Sequence, residues 1–410
     1  MLKKFAGVFA ALFTISLAWA PAASAYYVVD GAMFNDPLSN FSTPYALMNH
    51  VEAAIDDTPS GATILISTYR LDRSVSVDKL IAARDRGVHV QVVMDQLIVS
   101  SPSDRLMWVL NADNGPRTPT GDVDPGLDGS FAIKCVGSCR GDAGIVHSKF
   151  YAFSESGGVR NIVMVSSANL NTDSATSAWN DLYSMVDAGT YARYAAIHNE
   201  MAEDTSRDLD SYQVYRTDNG RYESRFFPML GASQATDPVM VDLSRVICSG
   251  ASGGTGSNGH TAIHIAMFYW TGTRGLYIAD RILNLARSGC VVSVIYGAPG
   301  TTVAAKLKTA ARNGLIKLYD TRVDRNHDGS VDLRVHSKYM LIEGNYGPSP
   351  DGFYPANTAA RQVYAGSQNW TDGALTRADE LMLGIRDKGA YDSYLNNWFN
   401  IRNTGSRQIR

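Results

Sequence analysis

The chain has 410 residues, of which 45% are hydrophobic and 19% are charged, and its formal net charge is −3. This length allows two ordinary domains or one large duplicated domain. Binding to a nucleic-acid duplex irrespective of sequence usually requires a basic surplus, which this chain lacks, although a local groove could still be basic.

The first 25 residues have the pattern of a secretory signal peptide. Lys3 and Lys4 precede a largely apolar run from Phe5 to Trp19, and Ala23-Ser24-Ala25 supplies small residues for cleavage. The apolar run is shorter than the ~20 residues that span a bilayer, which disfavours a membrane anchor. We therefore expect secretion after cleavage near Ala25, which leaves 410 − 25 = 385 residues.

Two passages have the pattern of strand, helix and strand. The first contains "ATILISTYR", "VDKLIAARDRG" and "VHVQVVMD", and the second contains "TAIHIAMFYW", "GLYIADRILNLARSG" and "CVVSVIYG". In each, β-branched apolar runs flank a segment with apolar residues at helical spacing, and a glycine ends the helix. Both passages predict parallel strands joined by a right-handed crossover.

Four cysteines follow the expected signal peptide, and export permits disulfide bonds. Cys135 lies close to Cys139, whereas Cys248 and Cys290 are separated by a Gly/Ser loop and a helix-like segment. Pairing neighbours along the chain is the simplest of the three connectivities, and the sequence alone leaves the choice open. A zinc site is the weaker alternative, because no second ligand pair has finger-like spacing.

The tetrapeptide Val-His-Ser-Lys occurs twice, with its histidines 336 − 147 = 189 residues apart, in a chain with only eight histidines. "GIVHSKFYAFS" precedes "RNIVMVSSANLNTDSATSAWNDLYSMV", and "LRVHSKYMLIEG" precedes "ARQVYAGSQNWTDGALTRADELMLGI" after a Gly/Pro-rich insertion. Each copy predicts two strands, a helix beginning near Thr172 or Thr371, and a final strand. The chain is therefore interpreted as a duplication.

The duplication predicts an α/β protein with an N-terminal lobe at residues 26–225 and a C-terminal lobe at residues 238–410. Regular patterning is interrupted between roughly Tyr222 and Val239 by Phe226, Phe227, Pro228, Gly231 and Pro238. We place the boundary in this stretch.

Polar residues recur at the same places in both copies. Because residues two apart on a strand project to one face, each copy offers an imidazole, an ammonium, a hydroxyl and an amide on neighbouring strands. Burying either polar face alone would be costly, so we expect the two copies to face each other across a cleft. The candidates are His147, Lys149, Ser167 and Asn169, and then His336, Lys338, Ser367 and Asn369.

Such a cleft suits a phosphate. Two lysines can balance the charge that develops on the phosphoryl oxygens, and Ser and Asn donors can orient the group. One imidazole can attack phosphorus while the other carries the proton, and the lysines make a metal or other cofactor unnecessary. Alternatively, the Ser-x-Asn pairs only end strands and cap helices.

The doubled motif resembles the phospholipase D superfamily, whose signature is H-x-K-x(4)-D followed by G-S-x-N, and the resemblance covers nearly all of the chain after residue 25. The matching stretches are His147-Ser148-Lys149, Ser166-Ser167-Ala168-Asn169, His336-Ser337-Lys338 and Gly366-Ser367-Gln368-Asn369. The resemblance implies two pseudo-symmetric αβαβα lobes that face each other, with the active site at their interface. It also implies that His147 is the nucleophile and that His336 is the general acid.

The sequence departs from the signature at its aspartate, which is Ser154 in the first copy and Glu343 in the second. Glu343 keeps a carboxylate and is expected to support the site. Ser154 has no charge, which suggests weaker support for the first histidine.

In this family a downstream carboxylate orients each histidine. Glu380 lies eleven residues after Asn369, whereas the residue eleven after Asn169 is Asn180, with Asp181 adjacent. The resemblance therefore implies a catalytic role for Glu380 and supporting roles for Asn180 and Asp181. On this pattern the second copy is better equipped to polarise its imidazole.

The leading hypothesis is a secreted, metal-independent phosphodiesterase. It would hydrolyse phospholipid head-group bonds through a phosphohistidine, with transfer of the phosphatidyl group to alcohols as a second outcome. The expected partners are a phospholipid and, transiently, a membrane surface, and the protein is expected to be a monomer. One alternative is a nuclease of the same superfamily, which would add nucleic acid as a partner. The other is a decayed module that only binds phosphate-containing ligands.

Two further segments carry weaker signals. "DRNHDGSVD" resembles the start of a calcium loop through Asp324, Asn326 and Asp328, but Val335 replaces the glutamate at position twelve, so a polar hairpin turn is favoured. The aromatic insertion "NYGPSPDGFYPAN" from Asn345 flanks the predicted site strands and is a candidate substrate-facing loop.

Overall fold

Two mixed β-sheets with flanking helices form two lobes. The computed structural model describes residues 26–39, 43–112, 129–209 and 212–410, so the expected signal peptide at residues 1–25 lies outside the described residues. The first part of the chain forms β1 (Gly31–Phe34), α1 (Ala46–Asp56), β2 (Thr63–Thr68), α2 (Ser74–Asp85), β3 (His89–Asp95), α3 (Ser101–Leu110), β4 (Phe131–Cys135), β5 (Phe150–Ser156), β6 (Val159–Ser166), α4 (Thr172–Thr176), β7 (Ala178–Trp179), β8 (Asp181–Val186) and α5 (Ala188–Ala202).

The second part of the chain repeats this order of elements with additions. Its elements are β9 (Gln213–Arg216), β10 (Tyr222–Phe226), α6 (Pro238–Ser244), β11 (Val246–Ile247), β12 (Ala262–Trp270), α7 (Gly272–Arg287), β13 (Val291–Pro299), α8 (Thr301–Arg312), β14 (Lys317–Asp320), β15 (Arg334–Val335), β16 (Lys338–Tyr346), β17 (Asn357–Gly366), α9 (Asp372–Thr376), β18 (Leu381–Ile385), α10 (Lys388–Thr404) and β19 (Arg407–Ile409).

The strand orders of the two sheets correspond. The first sheet runs β1-β8-β6-β5-β2-β3-β4, and the second contains β10-β18-β17-β16-β12-β13-β14, with β9 and β19 at its edges. Each strand of the first series therefore has a counterpart at the same position in the second. The predicted α/β class with two pseudo-symmetric lobes is confirmed.

The two predicted βαβ units are present. β2 pairs in parallel with β3 and β12 pairs in parallel with β13, and α2 and α7 form the crossovers. Gly87 and Gly289 follow the ends of these helices with φ of 89° and 97°. Both glycines adopt the left-handed conformation, which costs little only for a residue without Cβ.

The strands nearest the expected boundary belong to the second sheet. β10 pairs antiparallel with β18, and β9 pairs with β10, although β9 and all of β10 except Phe226 lie within the range predicted for the N-terminal lobe. β10 takes the place that β1 occupies beside β8 in the first sheet. The aromatic residues at the end of β10 thus complete the second sheet, while the lobe ranges themselves stay a prediction.

An apolar core joins the two lobes. One continuous buried cluster contains Phe150 and Tyr183 from the first sheet together with Leu341, Tyr394 and Trp398 from the second part of the chain. Large aromatic side chains dominate this cluster, and their burial removes much apolar area from water. The shared core fixes the orientation of the lobes and so the geometry of anything between them.

The cysteines form the two sequence-neighbour disulfides, Cys135–Cys139 and Cys248–Cys290. Asp204 lies near the first pair, but disulfide-bonded sulfurs do not ligate zinc, and the zinc alternative is wrong.

The segment weighed as a calcium loop is a polar turn. The Asp324 carboxylate accepts the Gly329 N–H at 2.9 Å, Asn326 accepts the Asp328 N–H at 3.0 Å, and Asp328 accepts the Ser330 N–H at 2.7 Å. These carboxylate and amide oxygens stabilise the turn's own backbone.

Within the described part of the chain, no helix is long and apolar enough to cross a membrane.

We predict that removing each of the two disulfides lowers stability by a different amount. A disulfide that closes a longer loop removes more conformational entropy from the unfolded chain. Cys248 and Cys290 are 42 residues apart, and Cys135 and Cys139 are 4 apart. Replacing Cys248 and Cys290 by serine should lower the free energy of unfolding by about 4 kcal/mol, and replacing Cys135 and Cys139 by about 2 kcal/mol. Denaturant unfolding of both double variants checks this, and a larger loss for the short loop would contradict it.

Candidate active site

The doubled motif lies where the two sheets meet. His147 and Lys149 lie just before β5 and His336 and Lys338 lie at the start of β16, which are counterparts in the two sheets. Two short interlobe pairings hold these segments: β7 pairs in parallel with β15, and Val146 forms a bridge with Asp379. The structure therefore brings both copies of the motif to the lobe interface.

His147 takes its ring partner from the C-terminal lobe. Its Nδ1 lies 2.9 Å from Oε1 of Glu380, and both side chains are buried. The backbone N–H groups of His147 and Ser148 donate to the Asp379 carbonyl at 2.9 and 2.7 Å. With Nδ1 bound to the carboxylate, Nε2 is the ring nitrogen left for chemistry.

His336 takes its ring partner from the N-terminal lobe. Its Nδ1 lies 2.8 Å from Oδ1 of Asn180. The N–H groups of His336 and Ser337 donate to the Trp179 carbonyl at 2.9 and 3.0 Å, as their counterparts do in the other copy. The Asn180 amide nitrogen donates to the Ser174 carbonyl at 2.8 Å, which turns its oxygen towards the imidazole.

The ring partners of the two histidines differ from those that were expected. We expected each histidine to be oriented from within its own copy, which left His147 with Asn180. The structure crosses the partners, so His147 has the carboxylate of Glu380 and His336 has the neutral amide. The weaker electrostatic support therefore lies beside His336.

The two serines of the Ser-x-Asn stretches position these partners. Ser167 donates to Asn180 at 3.0 Å and accepts the Asp181 N–H at 3.0 Å. Ser367 donates to Glu380 and accepts the Leu381 N–H at 3.0 Å. Both hydroxyls are fully buried and already occupied, so the structure does not support the expected contact between these serines and a substrate.

The asparagines of the same stretches differ from each other. Asn369 Oδ1 accepts the Tyr269 N–H at 3.2 Å, whereas Asn169 Oδ1 is buried without a hydrogen-bond partner among the described residues. The helices that follow are capped by Asn171 and Thr371, so capping does not explain Asn169 or Asn369. The Asn169 amide thus remains a candidate ligand contact.

Both lysines are buried beside the histidines. The ammonium of Lys149 donates to the His147 carbonyl, and that of Lys338 donates to the His336 carbonyl. Burial lowers the pKa of Lys149 to about 7 against the opposing charges of Glu380 and Asp95. Burial and the neighbouring Lys149 hold the pKa of Lys338 well below its usual value. A bound anion would favour the charged form of both.

The pKa values of both imidazoles are lowered for the same reasons. Burial and then the charges of Lys149 and Lys338 hold the pKa of His147 well below its ordinary value, and the same three causes act on His336. Burial raises the pKa of Glu380 to about 7, opposed chiefly by Lys149. A neutral His147 has the free lone pair that attack on phosphorus requires.

Two aromatic residues complete the cleft. The Tyr69 ring lies 5.5 Å from the His147 ring, and the Phe268 ring lies 4.6 Å from the His336 ring. Lys149 and Lys338 lie 5.6 and 5.1 Å from these same aromatic rings. Neither residue is among the predicted site residues, although aligning "ISTYR" with "IAMFYW" puts an aromatic residue at the same position in both copies.

The remaining carboxylates have other surroundings. Asp181 is buried next to Asn180, accepts the Tyr394 hydroxyl at 3.0 Å, and has its pKa raised by burial. Glu343 lies on β16 five residues beyond Lys338, about 16 Å along an extended strand. The expectation that Glu343 supports the site is therefore wrong.

Ser154 is equally remote from the cleft. It lies on β5 five residues beyond Lys149, and its hydroxyl accepts the Thr63 N–H at 2.8 Å. The missing charge at this position consequently does not weaken the support of His147.

The aromatic insertion was also placed wrongly. β16 begins at Lys338 beside the cleft and ends at Tyr346, and β17 returns from Asn357 to Gly366, directly before Ser367. The connection between these strands therefore lies at the end of the sheet opposite the cleft. It is not a substrate-facing loop.

A cavity of ≈ 330 Å³ opens beside His147. Glu380 and Asn369 line it together with Tyr269, whose side chain is 43% exposed, and its other walls are mostly small or apolar. The lining includes Ile145, Ala374 and Ala378. The cavity can accept an apolar or uncharged group next to the imidazole.

A buried ion pair ties the disulfide loop to this site. Arg140, which directly follows Cys139, places Nε 3.2 Å from Oδ1 of Asp379 and donates to the Phe227 carbonyl at 2.6 Å. Ser138 also donates to the Asp379 carboxylate at 2.9 Å. Asp379 in turn accepts the His147 N–H through its carbonyl, so the loop helps to fix the segment that carries Glu380.

Two histidines with ring partners from the opposite lobe and two buried lysines meet at the interface of two pseudo-symmetric lobes. The family model described as "Cardiolipin synthase, PLD-like domain" matches residues 54–202 and 257–401, more than half of the chain. The chain belongs to the phospholipase D superfamily, whose members act on phosphodiester bonds. A search of functionally curated proteins found no match.

Solved structures share this fold at low identity. Phosphatidylserine synthase from Haemophilus influenzae Rd KW20 has a TM-score of 0.57 at 12% identity, covering 92% of this chain and 87% of that one. Polyphosphate kinase from Porphyromonas gingivalis has a TM-score of 0.55 at 12% identity, covering 92% of this chain. This chain spans about half (48%) of the kinase's length. Both similarities concern the fold.

We predict that Arg140→Met destabilises the protein, because it leaves the Asp379 carboxylate buried without its cation. Breaking a buried pair in this way costs about 3–5 kcal/mol in the free energy of unfolding. Denaturant unfolding measures this. Arg105→Met, at an exposed ion pair with Asp78, is the matched control and should cost less than about 1 kcal/mol. Adding Asp379→Asn to Arg140→Met should restore part of the loss, and equal costs for the two arginines would contradict the argument.

Proposed function

We propose that the protein is a secreted phosphodiesterase that hydrolyses the head-group phosphodiester of phospholipids through a phosphohistidine. The observation that carries this proposal is the pair of imidazoles held across the interface by Glu380 and Asn180, each beside a buried lysine. The two lysines provide the positive field for the phosphoryl oxygens that a metal ion provides in other enzymes.

The first step assigned to this geometry is attack by His147. Nε2 of neutral His147 forms a bond to phosphorus, and the bond from phosphorus to the leaving oxygen breaks. The bound phosphodiester anion favours the protonated form of His336 against the effects of burial and the two lysines. Protonated His336 gives its Nε2 proton to that oxygen, so the leaving group departs as an alcohol. Glu380 accepts the Nδ1–H of His147 and stabilises the positive charge on the phosphorylated ring.

The second step reverses the proton transfer. Neutral His336 takes a proton from water, the water oxygen bonds to phosphorus, and the bond to His147 breaks. An alcohol in place of water gives phosphatidyl transfer by the same step. Asn180 suits this exchange of roles, because its neutral oxygen orients the imidazole without holding it in the charged form.

A lipid is the favoured substrate over a nucleic acid. The cavity of ≈ 330 Å³ beside His147 has a mostly apolar lining, which suits an uncharged part of a lipid. The chain's net charge of −3 offers no general attraction for a polyanion. Export is supported by the two disulfides, which persist in oxidising compartments.

The proposal predicts choline release from phosphatidylcholine in the presence of EDTA. His147→Ala and His336→Ala should each lower the rate about 10³-fold or more, because each removes a group that acts directly on the reacting atoms. His327→Ala, at an exposed histidine of the polar turn, is the matched control and should keep the wild-type rate.

The same preparations should be tested on single-stranded and double-stranded DNA. Cleavage of DNA without choline release, lost in both histidine variants, would identify a nuclease instead. Absence of activity in both assays would contradict the proposal that the protein is an enzyme.

Rapid quenching with radiolabelled substrate and peptide mapping should place a covalent phosphoryl label on His147, and a label on His336 would reverse the two roles.

We predict that Asn180→Asp moves the alkaline limb of kcat/KM to higher pH. His336 is proposed to act as an acid, so activity falls as it loses its proton. A carboxylate 2.8 Å from Nδ1 would stabilise the imidazolium and raise the pKa of His336 by about one unit or more. Glu380→Gln is the mirrored control, because it should lower kcat without raising that limb. An unchanged alkaline limb in Asn180→Asp would refute the assignment of His336.

A further inference from the structure

A second polar cavity lies at the far end of the C-terminal sheet. It measures ≈ 310 Å³ and is formed by the ends of β16 and β17, the residues after β18, and the aromatic insertion. Four cations line it: Arg245, Arg361, Arg386 and Lys388. We call it the arginine cavity.

The arginine cavity is separate from the catalytic cleft. β16 runs from Lys338 at the cleft to Tyr346 at the cavity, and eight residues of extended strand span about 26 Å. None of the residues lining the cavity beside His147 lines the arginine cavity. A ligand here would therefore not contact the reacting phosphate.

Arg386 is the cation of this set whose buried nitrogens lack hydrogen bonds in the described residues. Its side chain is only 13% exposed, and its three guanidinium nitrogens are buried without a hydrogen-bond partner in the described part of the chain. Its ion-pair partner Glu223 lies 3.6 Å away, beyond hydrogen-bond distance, and is already bound by Arg216 and Arg225. The guanidinium stacks on the Tyr354 ring, 3.3 Å from its centroid, which fixes its plane.

The rest of the lining adds positive charge. Arg245, which lines the cavity, donates its Nε–H to the Gly347 carbonyl at 3.1 Å and stacks on Tyr346 at 4.1 Å. Asp387 is the one carboxylate of the lining, and it caps α10 and pairs with Arg221. The lining thus has a formal charge of +4 − 1 = +3 in a chain whose net charge is −3.

We propose that the arginine cavity binds a phosphate monoester. A guanidinium presents N–H groups in a planar fork that matches phosphate oxygens, and a buried ionic donor without a partner is costly unless a ligand supplies one. A phosphate monoester has three terminal oxygens and nearly two negative charges at neutral pH, which matches convergent arginines better than a carboxylate. The cavity also has room for the group esterified to the phosphate.

The test uses the full mature chain with and without Arg386→Gln. Glycerol 3-phosphate should raise the melting temperature of the wild type and bind by calorimetry, and Arg386→Gln should weaken that binding about tenfold or more. Arg312→Gln, at an exposed arginine of α8, is the matched control and should bind as the wild type does. Lys338→Met removes a cation from the catalytic cleft and distinguishes binding there from binding in the arginine cavity.

Two sources of the phosphate monoester are separated by a second arm. Sedimentation with phosphatidylcholine vesicles that contain phosphatidic acid should depend on Arg386 if a lipid head group is the ligand. Binding of glycerol 3-phosphate without any such vesicle dependence would indicate a soluble phosphate ester, and both results support the site. Unchanged affinity for both probes in Arg386→Gln would overturn the proposal.

The measurements of glycerol 3-phosphate binding and vesicle sedimentation do not depend on the proposed enzymatic function. Arg386→Gln should keep wild-type catalysis on a soluble phosphodiester, because the arginine cavity is remote from the histidines. If that variant fails to fold by circular dichroism, Arg361→Gln replaces it, since that side chain lines the same cavity from β17. Normal phosphate binding by a folded Arg361→Gln would then count against the site.

Discussion

The exchange of histidine partners between the lobes is the constraint on which the site depends. His147 is completed by Glu380 and His336 by Asn180, and neither partner comes from the histidine's own lobe. Burying the polar groups of either lobe at the interface without partners from the other lobe would be costly. The shared aromatic core and the Arg140–Asp379 ion pair hold the lobes in the orientation that satisfies both sets. Folding of the interface and assembly of the site are therefore one event.

The duplication supplies symmetry of the backbone but not of charge. Ser167 and Ser367 hold Asn180 and Glu380 by the same two hydrogen bonds, so the two partners occupy equivalent positions. One is a carboxylate and the other is an amide, and only the carboxylate can balance a permanent positive charge on the attached ring. The two histidines therefore have equivalent backbone surroundings but different ring partners, and this difference lets them take different roles in one reaction.

Much of the fold was predictable, because the elements follow from local patterns. The βαβ units, the repeated strands and the approach of the two motifs were all predicted from apolar periodicity and repetition. The crossing of the partners was not, because an equal spacing of eleven residues in each copy cannot tell which lobe the side chain will face. That choice depends on how two finished lobes pack, which no local pattern records.

The position of the aromatic insertion could have been deduced from strand geometry. A strand whose first residue lies at the cleft carries its last residue away from it, so the connection after β16 lies at the opposite end. The same geometry gives the C-terminal sheet two polar ends that differ in how their cations are satisfied. Lys149 and Lys338 donate hydrogen bonds to backbone carbonyls, whereas the guanidinium of Arg386 donates none in the described structure and has only an ion pair with Glu223 at 3.6 Å. Since the cost of burying a cation without hydrogen bonds falls when an anion binds, the end with fewer internal hydrogen bonds has the greater need of an external ligand.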